Sequence, residues 1–236
     1  MTQRITLVTG ASRGIGYAAA KALAAAGHHV VATARTQGGL EALDDEINAA
    51  GGACTLVPMD LREFDQIDRL GAALHERFGR LDGLLCNAGL LGEITPAQQT
   101  TPKDWMAVLD VNMTAPYRLI RSMDPLLRES PSGRAVFVTT SVARHPRPYW
   151  GAYAASKAGM EAFVSIWAQE IADATPIRAN IFDPGGTATH MRAKAFPGED
   201  PATLPQPDDL APMLVDMLSE SFTDTDTLVR FRDRMG

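Results

Sequence analysis

The chain has 236 residues, 45% of them hydrophobic and 21% charged, with a formal net charge of −6. That composition suits a globular protein with a sizeable core and excludes a general nucleic-acid surface, which needs a basic balance. No apolar run approaches the ~20 residues that span a bilayer, and Cys54 and Cys86, each inside an apolar run, suggest no disulfide framework.

Residues 1–10 run straight into a strand pattern, with too short an apolar stretch for a signal peptide, so a cytoplasmic protein is expected. From there, apolar runs and helical patterns alternate. Residues 4–9 predict a strand and 14–26 an alanine-rich helix. Strand 29–34 precedes a helix over 38–50, strand 53–58 a helix over 63–78, and strand 81–86 one long helix over 102–128. Strand 134–140 leads to a helix over 150–173, and strand 177–182 to a surface excursion with four prolines between Pro197 and Pro207. A helix near 208–219 and a short strand at 226–231 complete the pattern. Continuously apolar strands are buried on both faces, as in parallel sheets. The alternation predicts an α/β fold: a doubly wound, Rossmann-like parallel sheet of about seven strands flanked by helices, in one domain over 1–236.

The first strand ends in Thr9-Gly10-Ala11-Ser12-Arg13-Gly14-Ile15-Gly16, just before the alanine-rich helix. A dinucleotide pyrophosphate binds where free N–H groups and the positive dipole end of a helix meet it, and side chains larger than hydrogen block that approach. The Gly-x-x-x-Gly-x-Gly spacing differs from the commoner Gly-x-Gly-x-x-Gly, and no Gly-Lys-Ser/Thr follows, which excludes a P-loop. The second strand ends Ala34-Arg35, without the acid that usually holds the ribose of NAD. With Arg13 in the glycine turn, two guanidiniums and no carboxylate match a 2′-phosphate, so NADP is expected and NAD fits less well. Further on, Tyr153 and Lys157 lie one helical turn apart among Ala, Ser and Gly, so a phenol and an ammonium share a helix face.

These residues resemble the short-chain dehydrogenase/reductase family from Thr6 to about Met191. Asp60-Leu61 takes the place of the family's adenine-contacting Asp, and Asn87-Ala88-Gly89 looks like its Asn-Ala-Gly motif. Asn112 matches the family's helix Asn; Ser141, Tyr153 and Lys157 reproduce its Ser and Tyr-x-x-x-Lys set. Pro184-Gly185-Gly186-Thr187-Ala188-Thr189 matches the motif after the sixth strand. A narrower resemblance, in Asn87–Gly92, Trp150–Lys157 and Pro184–Arg192, points to a bacterial branch of uncharacterised short-chain oxidoreductases.

The resemblance implies hydride transfer between NADP(H) and a carbonyl or alcohol. Tyr153 would be the acid/base, and Lys157 would draw its pKa toward neutrality and hold the ribose. Ser141 would donate to the substrate oxygen. It stands 12 residues before Tyr153 and Thr140 stands at 13, but the Ser-Val-Ala that follows the strand favours Ser141. Asn112, at a helix irregularity to which Pro116 contributes, would hold a water in a proton relay. Cofactor contacts are expected from Gly10, Ser12, Arg13, Gly14, Ile15, Gly16, Arg35, Asp60, Leu61, Asn87, Ala88, Gly89, Tyr153, Lys157, Pro184, Gly185, Thr187 and Thr189. The stretch at about 188–207 would form a substrate lid. His28, His29, His75, His145 and His190 show no metal-ligand spacing, and no metal is expected. Arg144, Arg147, Tyr149 and Trp150 border the substrate side, where charged loop side chains are mostly solvated. Dimerisation through the helices at 102–128 and 150–173 is expected; the ending Met235-Gly236 lacks the family's Gly-Gly tail, and a tetramer that depends on that tail loses its basis. The competing reading is a non-catalytic dinucleotide sensor or scaffold on the same fold, which would not need all four of Asn112, Ser141, Tyr153 and Lys157.

Overall fold

Seven short apolar segments pair side by side as parallel strands: β1 (Ile5–Thr9), β2 (His29–Ala34), β3 (Ala53–Pro58), β4 (Gly83–Cys86), β5 (Arg134–Val138), β6 (Arg178–Asp183) and β7 (Leu228–Arg230). Their order across the sheet is β3-β2-β1-β4-β5-β6-β7. The computed structural model describes residues 3–234, and the expected ending at Met235-Gly236 lies outside them. Every residue of β1, β4 and β5 is buried, which is why these runs carry no polar alternation.

Eight α-helices join the strands: α1 (Gly14–Ala25), α2 (Gln37–Ala49), α3 (Phe64–Phe78), α4 (Pro102–Leu109), α5 (Ala115–Arg128), α6 (Gly151–Ile171), α7 (His190–Ala195) and α8 (Pro207–Met217). Leu23 of α1, Leu40 and Leu43 of α2 and Leu214 of α8 pack with Val8 and Val30 on one face of the sheet. Ile67 of α3, Leu119 of α5 and Val164 of α6 pack with Leu7, Leu84 and Phe137 on the other. The sheet is therefore covered on both sides, as the alternation predicted. Among the described residues no helix is long and apolar enough to cross a membrane.

Several boundaries differ from the sequence reading, each for a local reason. The long helix expected over 102–128 is interrupted by a π-helical turn, Asp110–Thr114. Pro116 has no N–H to offer the Asn112 carbonyl four residues back, so the regular ladder cannot run through. The strand expected to reach residue 140 stops at Val138, because Thr140 starts a 3-10 turn, Ser141–Ala143. Helix α7, ahead of the proline-rich excursion and inside the stretch at about 188–207 expected as a lid, was not anticipated; Thr189 caps it by accepting the Arg192 N–H at 3.2 Å.

The amino ends of the strands are held by a polar network. Asp82 accepts from the Ile5 N–H at 2.8 Å and from Ser130 Oγ at 2.6 Å, and Arg80 and Arg4 close around it. His28 lies buried beside this network with Nδ1 2.8 Å from Thr6 Oγ1. Burial, with the Arg4 charge adding, pushes its imidazole down to about 4 against the opposing pull of Asp82. The fold thus favours neutral His28: its contribution is complete above about pH 6.5 and is lost as pH falls toward 4. Between pH 7.5 and 5 the loss should reach about 2 kcal/mol. Urea titrations at the two pH values should show that drop, and a His28→Gln protein should show a smaller one, since His29 retains its own downward shift. Equal pH slopes in the two proteins would refute the assignment.

Candidate active site

Between β1 and β4 the winding of the sheet reverses direction, and the carboxyl ends of these strands border a cleft of about 610 Å³. Loops diverge at such a switch point, leaving room for a ligand. The β1–α1 turn is pressed against the end of β4. Asn87 Nδ2 donates to the Thr9 and Gly10 carbonyls at 3.0 and 3.3 Å, and Thr9 Oγ1 accepts the N–H groups of Asn87 and Ala88 at 3.0 and 3.1 Å. A Cβ at Gly16 would collide with Asn87 Nδ2 and lie 2.5 Å from the Gly10 carbonyl oxygen, and one at Gly10 would stand 2.9 Å from Ala88 Cα. The protein's own packing therefore requires these two glycines, and Gly16 does not reach the cleft wall. At Gly89 no atom comes nearer than 3.6 Å to an added Cβ, which would only fill cleft space.

One end of the cleft suits a large anion. No side chain caps the start of α1 and no acid lies in its first turn, so its free N–H groups and those of Ser12, Arg13, Gly14 and Ile15 face a ligand with positive potential. Arg13 and Arg35 line this end, exposed, and neither makes a hydrogen bond or ion pair among the described residues. Thr33, beside them, has a buried hydroxyl without a partner. Asp60 and Leu61 are here too. Arg62 grips the Asp60 carboxylate at 2.6 Å and holds it below the usual carboxylate range, with Arg35 adding, so the local balance stays positive.

At the other end Tyr153 and Lys157 rise from α6, both buried and both on the cleft wall. The Lys157 ammonium donates to the Val138 carbonyl at 2.7 Å, at the end of β5. Burial pushes it down to about 8, opposed by the nearby Cys86 and Glu161. Burial also pushes the Tyr153 phenol up to about 12, with Asp183 adding. Burial and Asp183 are the influences that act on the phenol here, whereas the downward pull was expected from Lys157 together with the positive nicotinamide of the oxidised cofactor. The Tyr153 hydroxyl lies 3.8 Å from Met191 Sδ.

The expectation for Ser141 changes. Ser141 is exposed in the 3-10 turn and is absent from the cleft wall, whereas Thr140 lines it. The strand ends two residues earlier than its apolar run suggested, which rotates Thr140 inward. Asn112 is fully buried in the π turn, and its amide is committed: Oδ1 accepts the Leu90 N–H, and Nδ2 donates to the Leu90 carbonyl and to Ser156 Oγ, at 2.8, 2.8 and 3.0 Å. Ser156 in turn donates to the Tyr153 carbonyl at 2.8 Å. The side chain braces the Gly89-Leu90 loop against α6, and the π turn in which Asn112 stands is the helix irregularity expected there.

Pro184, Gly185, Thr187 and Thr189 line the roof beneath α7, with Ala88 and Gly89 opposite. Lys194 donates to the Gly92 carbonyl at 3.2 Å, tying α7 across the mouth. Arg192 is paired with Glu199 and stacks 3.8 Å over the Phe196 ring, which packs on Trp150. The sequence reading missed Thr33, Met191 and Glu161, the last a buried carboxylate bonded to Thr139 and Arg144. Spacing alone held a signal for Glu161, since it follows Lys157 by one turn.

The sequence and the fold recur in known proteins. The family model for short chain dehydrogenases matches residues 4–200. The uncharacterised oxidoreductase YciK of Escherichia coli K12 is 37% identical over 93% of this chain and 88% of its own length. A 3-oxoacyl-[acyl-carrier-protein] reductase of Synechocystis is 35% identical over 81% of this chain and 77% of its own. A short chain dehydrogenase from Shigella flexneri, solved in complex with NADP, superposes with a TM-score of 0.92 at 37% identity, covering 98% of this chain and 97% of that one. A fold of this order, a glycine turn clamped at the switch point and a buried Tyr-x-x-x-Lys pair thus coincide with sequence identity along most of the chain, and the chain belongs to the short chain dehydrogenase family of oxidoreductases.

Proposed function

We propose that the chain is an NADP(H)-dependent oxidoreductase that moves hydride between the nicotinamide and a carbonyl or alcohol substrate. The observation that carries this reading is the buried Tyr153–Lys157 pair at one end of a cleft whose other end holds two unpaired guanidiniums. When bound, NADP(H) supplies or accepts the hydride. The free N–H groups at the start of α1 would hold its pyrophosphate, Arg13 and Arg35 its 2′-phosphate, Asp60 and Leu61 its adenine, and Lys157 its ribose. Pro184, Gly185, Thr187 and Thr189 would border the nicotinamide. The NADP complex of the Shigella relative supports the choice of cofactor, as does the absence of an acid at Ala34.

Tyr153, protonated over the physiological range, donates its proton to the oxygen of a carbonyl under reduction. Thr140 takes the place foreseen for Ser141 and donates a hydrogen bond to the same oxygen as its charge grows. Lys157, charged at pH 7, stabilises phenolate once the proton has left. Leu90, Leu91, Trp150, Met191 and Ala195 line the substrate end, and the nearby Arg144 and Arg192 are neutralised by Glu161 and Glu199. The reading is therefore a carbonyl flanked by an apolar group rather than an anionic substrate. Dimerisation fits the outer faces of α4, α5 and α6, where Trp105, Met106, Met113, Tyr117 and Ile166 are exposed.

Three outcomes check this reading. Calorimetry should give at least tenfold tighter NADPH than NADH binding, and Arg35→Ala should narrow the gap, since each charge-assisted phosphate contact is worth roughly tenfold or more. Equal affinities would refute the 2′-phosphate assignment. In a screen of apolar ketones with NADPH, Tyr153→Phe should abolish turnover with cofactor affinity nearly intact, and Thr140→Val should lower kcat by about 10²-fold while Ser141→Ala leaves it within about twofold. A wild-type protein that binds NADPH yet turns over no carbonyl would favour the sensor reading. Light scattering should show a dimer that Ile166→Lys weakens; an unchanged mass would place the interface elsewhere.

A further inference from the structure

The face of α6 that carries Tyr153 and Lys157 continues one turn further to Glu161, which is buried. Its two carboxylate oxygens take partners from opposite ends of a single short segment. Oε1 accepts Thr139 Oγ1 at 2.5 Å, and Oε2 meets Arg144 Nη2 at 3.1 Å. Between these two anchors lie Thr140, on the cleft wall, and the 3-10 turn Ser141–Ala143. Just before them, Val138 gives its carbonyl to the Lys157 ammonium. Helix α6 thus grips consecutive residues of the β5 end with a cation and then an anion.

We propose that Glu161 is a positioning residue: it staples Thr139 and Arg144 so that the Thr140 hydroxyl faces the substrate oxygen, and it sets a carboxylate one helical turn from the Lys157 ammonium. Burying a carboxylate is costly without partners, and a stretch of backbone as short as 139–144 is fixed in one rotation about the strand axis once both its ends are bonded. The fixed rotation sends Thr140 inward and Ser141 outward. Burial drives the Lys157 ammonium toward its neutral form, and Cys86 and then Glu161 oppose it. The other titratable groups facing this pair are Cys86 on β4 and Tyr153 on α6, both pushed up to about 12, and the remaining charges are Asp183 at the end of β6 and Arg144.

The inference rests on the oxidoreductase reading, and NADPH binding followed by fluorescence from pH 6.5 to 9.5 tests the two separately. Across that range Lys157 is the facing group that titrates, so affinity for NADPH should fall as pH rises through about 8. Glu161→Gln keeps the volume and an acceptor for Thr139 but removes the charge. It should move this midpoint down by about half a unit or more and lower kcat roughly tenfold. Arg144→Met, at the solvent side of the staple, leaves the carboxylate unpaired and should move the midpoint upward. Opposite shifts in the two variants are a signature that a merely structural carboxylate would not give. Should Glu161→Gln fail to fold, the direction of the Arg144→Met shift decides alone. Profiles that superimpose on the parent's, or an Arg144→Met midpoint at or below it, overturn the proposal. A parent protein that does not bind NADPH overturns the oxidoreductase reading, and this inference with it.

Discussion

The amide of Asn87 reaches from the end of β4 into the β1–α1 turn, and the fit leaves no room for a methyl group at Gly16 or Gly10. That contact fixes the distance between the two strands at which the sheet reverses its winding. It also aims the start of α1 at the cleft, because the turn cannot pivot without breaking its bonds to the Thr9 and Gly10 carbonyls. The free N–H groups of α1 are consequently preorganised for an anion, at no further cost when it binds. The glycine pattern that looks like a ligand signature is in part a packing signature. Of the motif glycines, Gly14 and Gly89 border open cleft space, whereas Gly10 and Gly16 answer to the protein interior.

Burial acts on the two central groups of α6 in opposite senses. It raises the phenol of Tyr153 and lowers the ammonium of Lys157, because each group is driven toward its neutral form. The charges nearby act in smaller measure: Asp183 adds to the rise at Tyr153, while Cys86 and then Glu161 oppose the fall at Lys157. In the proposed reading such a pair would suit proton donation, the direction that carbonyl reduction needs.

Much of this was legible in the residues. Buried parallel strands announce themselves as unbroken apolar runs, and all seven were located within a few residues. The motif positions from Gly10 to Thr189 almost all line one cleft, because their order along the chain follows the carboxyl ends of successive strands. What escaped was set by contacts between segments. The end of β5 could not be fixed from Val-Phe-Val-Thr-Thr-Ser, since threonine suits a strand and a turn alike, and the bond from Thr139 to Glu161 joins segments 22 residues apart. The irregularity at Asn112 was expected with Pro116, but its π form lies in a sequence whose apolar periodicity continues unbroken across it, and the Asn112 brace to Leu90 is a contact 22 residues long. Six residues of α7 are too few for periodicity to register.

The positive charges around the cleft sort by partner. Arg62, Arg144 and Arg192 each face a carboxylate within about 3 Å, and Lys194 spends its ammonium on a carbonyl, so the substrate end presents mainly apolar surface. Arg13 and Arg35 face none, and they stand at the far end. A chain of net charge −6 thus keeps two unpaired guanidiniums at the place where a phosphomonoester would sit. In the proposed reading charge would select the cofactor and shape the substrate, with the two forms of recognition separated by the length of the cleft. Changes in the apolar wall at Leu91, Trp150 or Met191 can then alter what is reduced without disturbing what supplies the hydride, which accords with one scaffold serving relatives that differ in their named substrates.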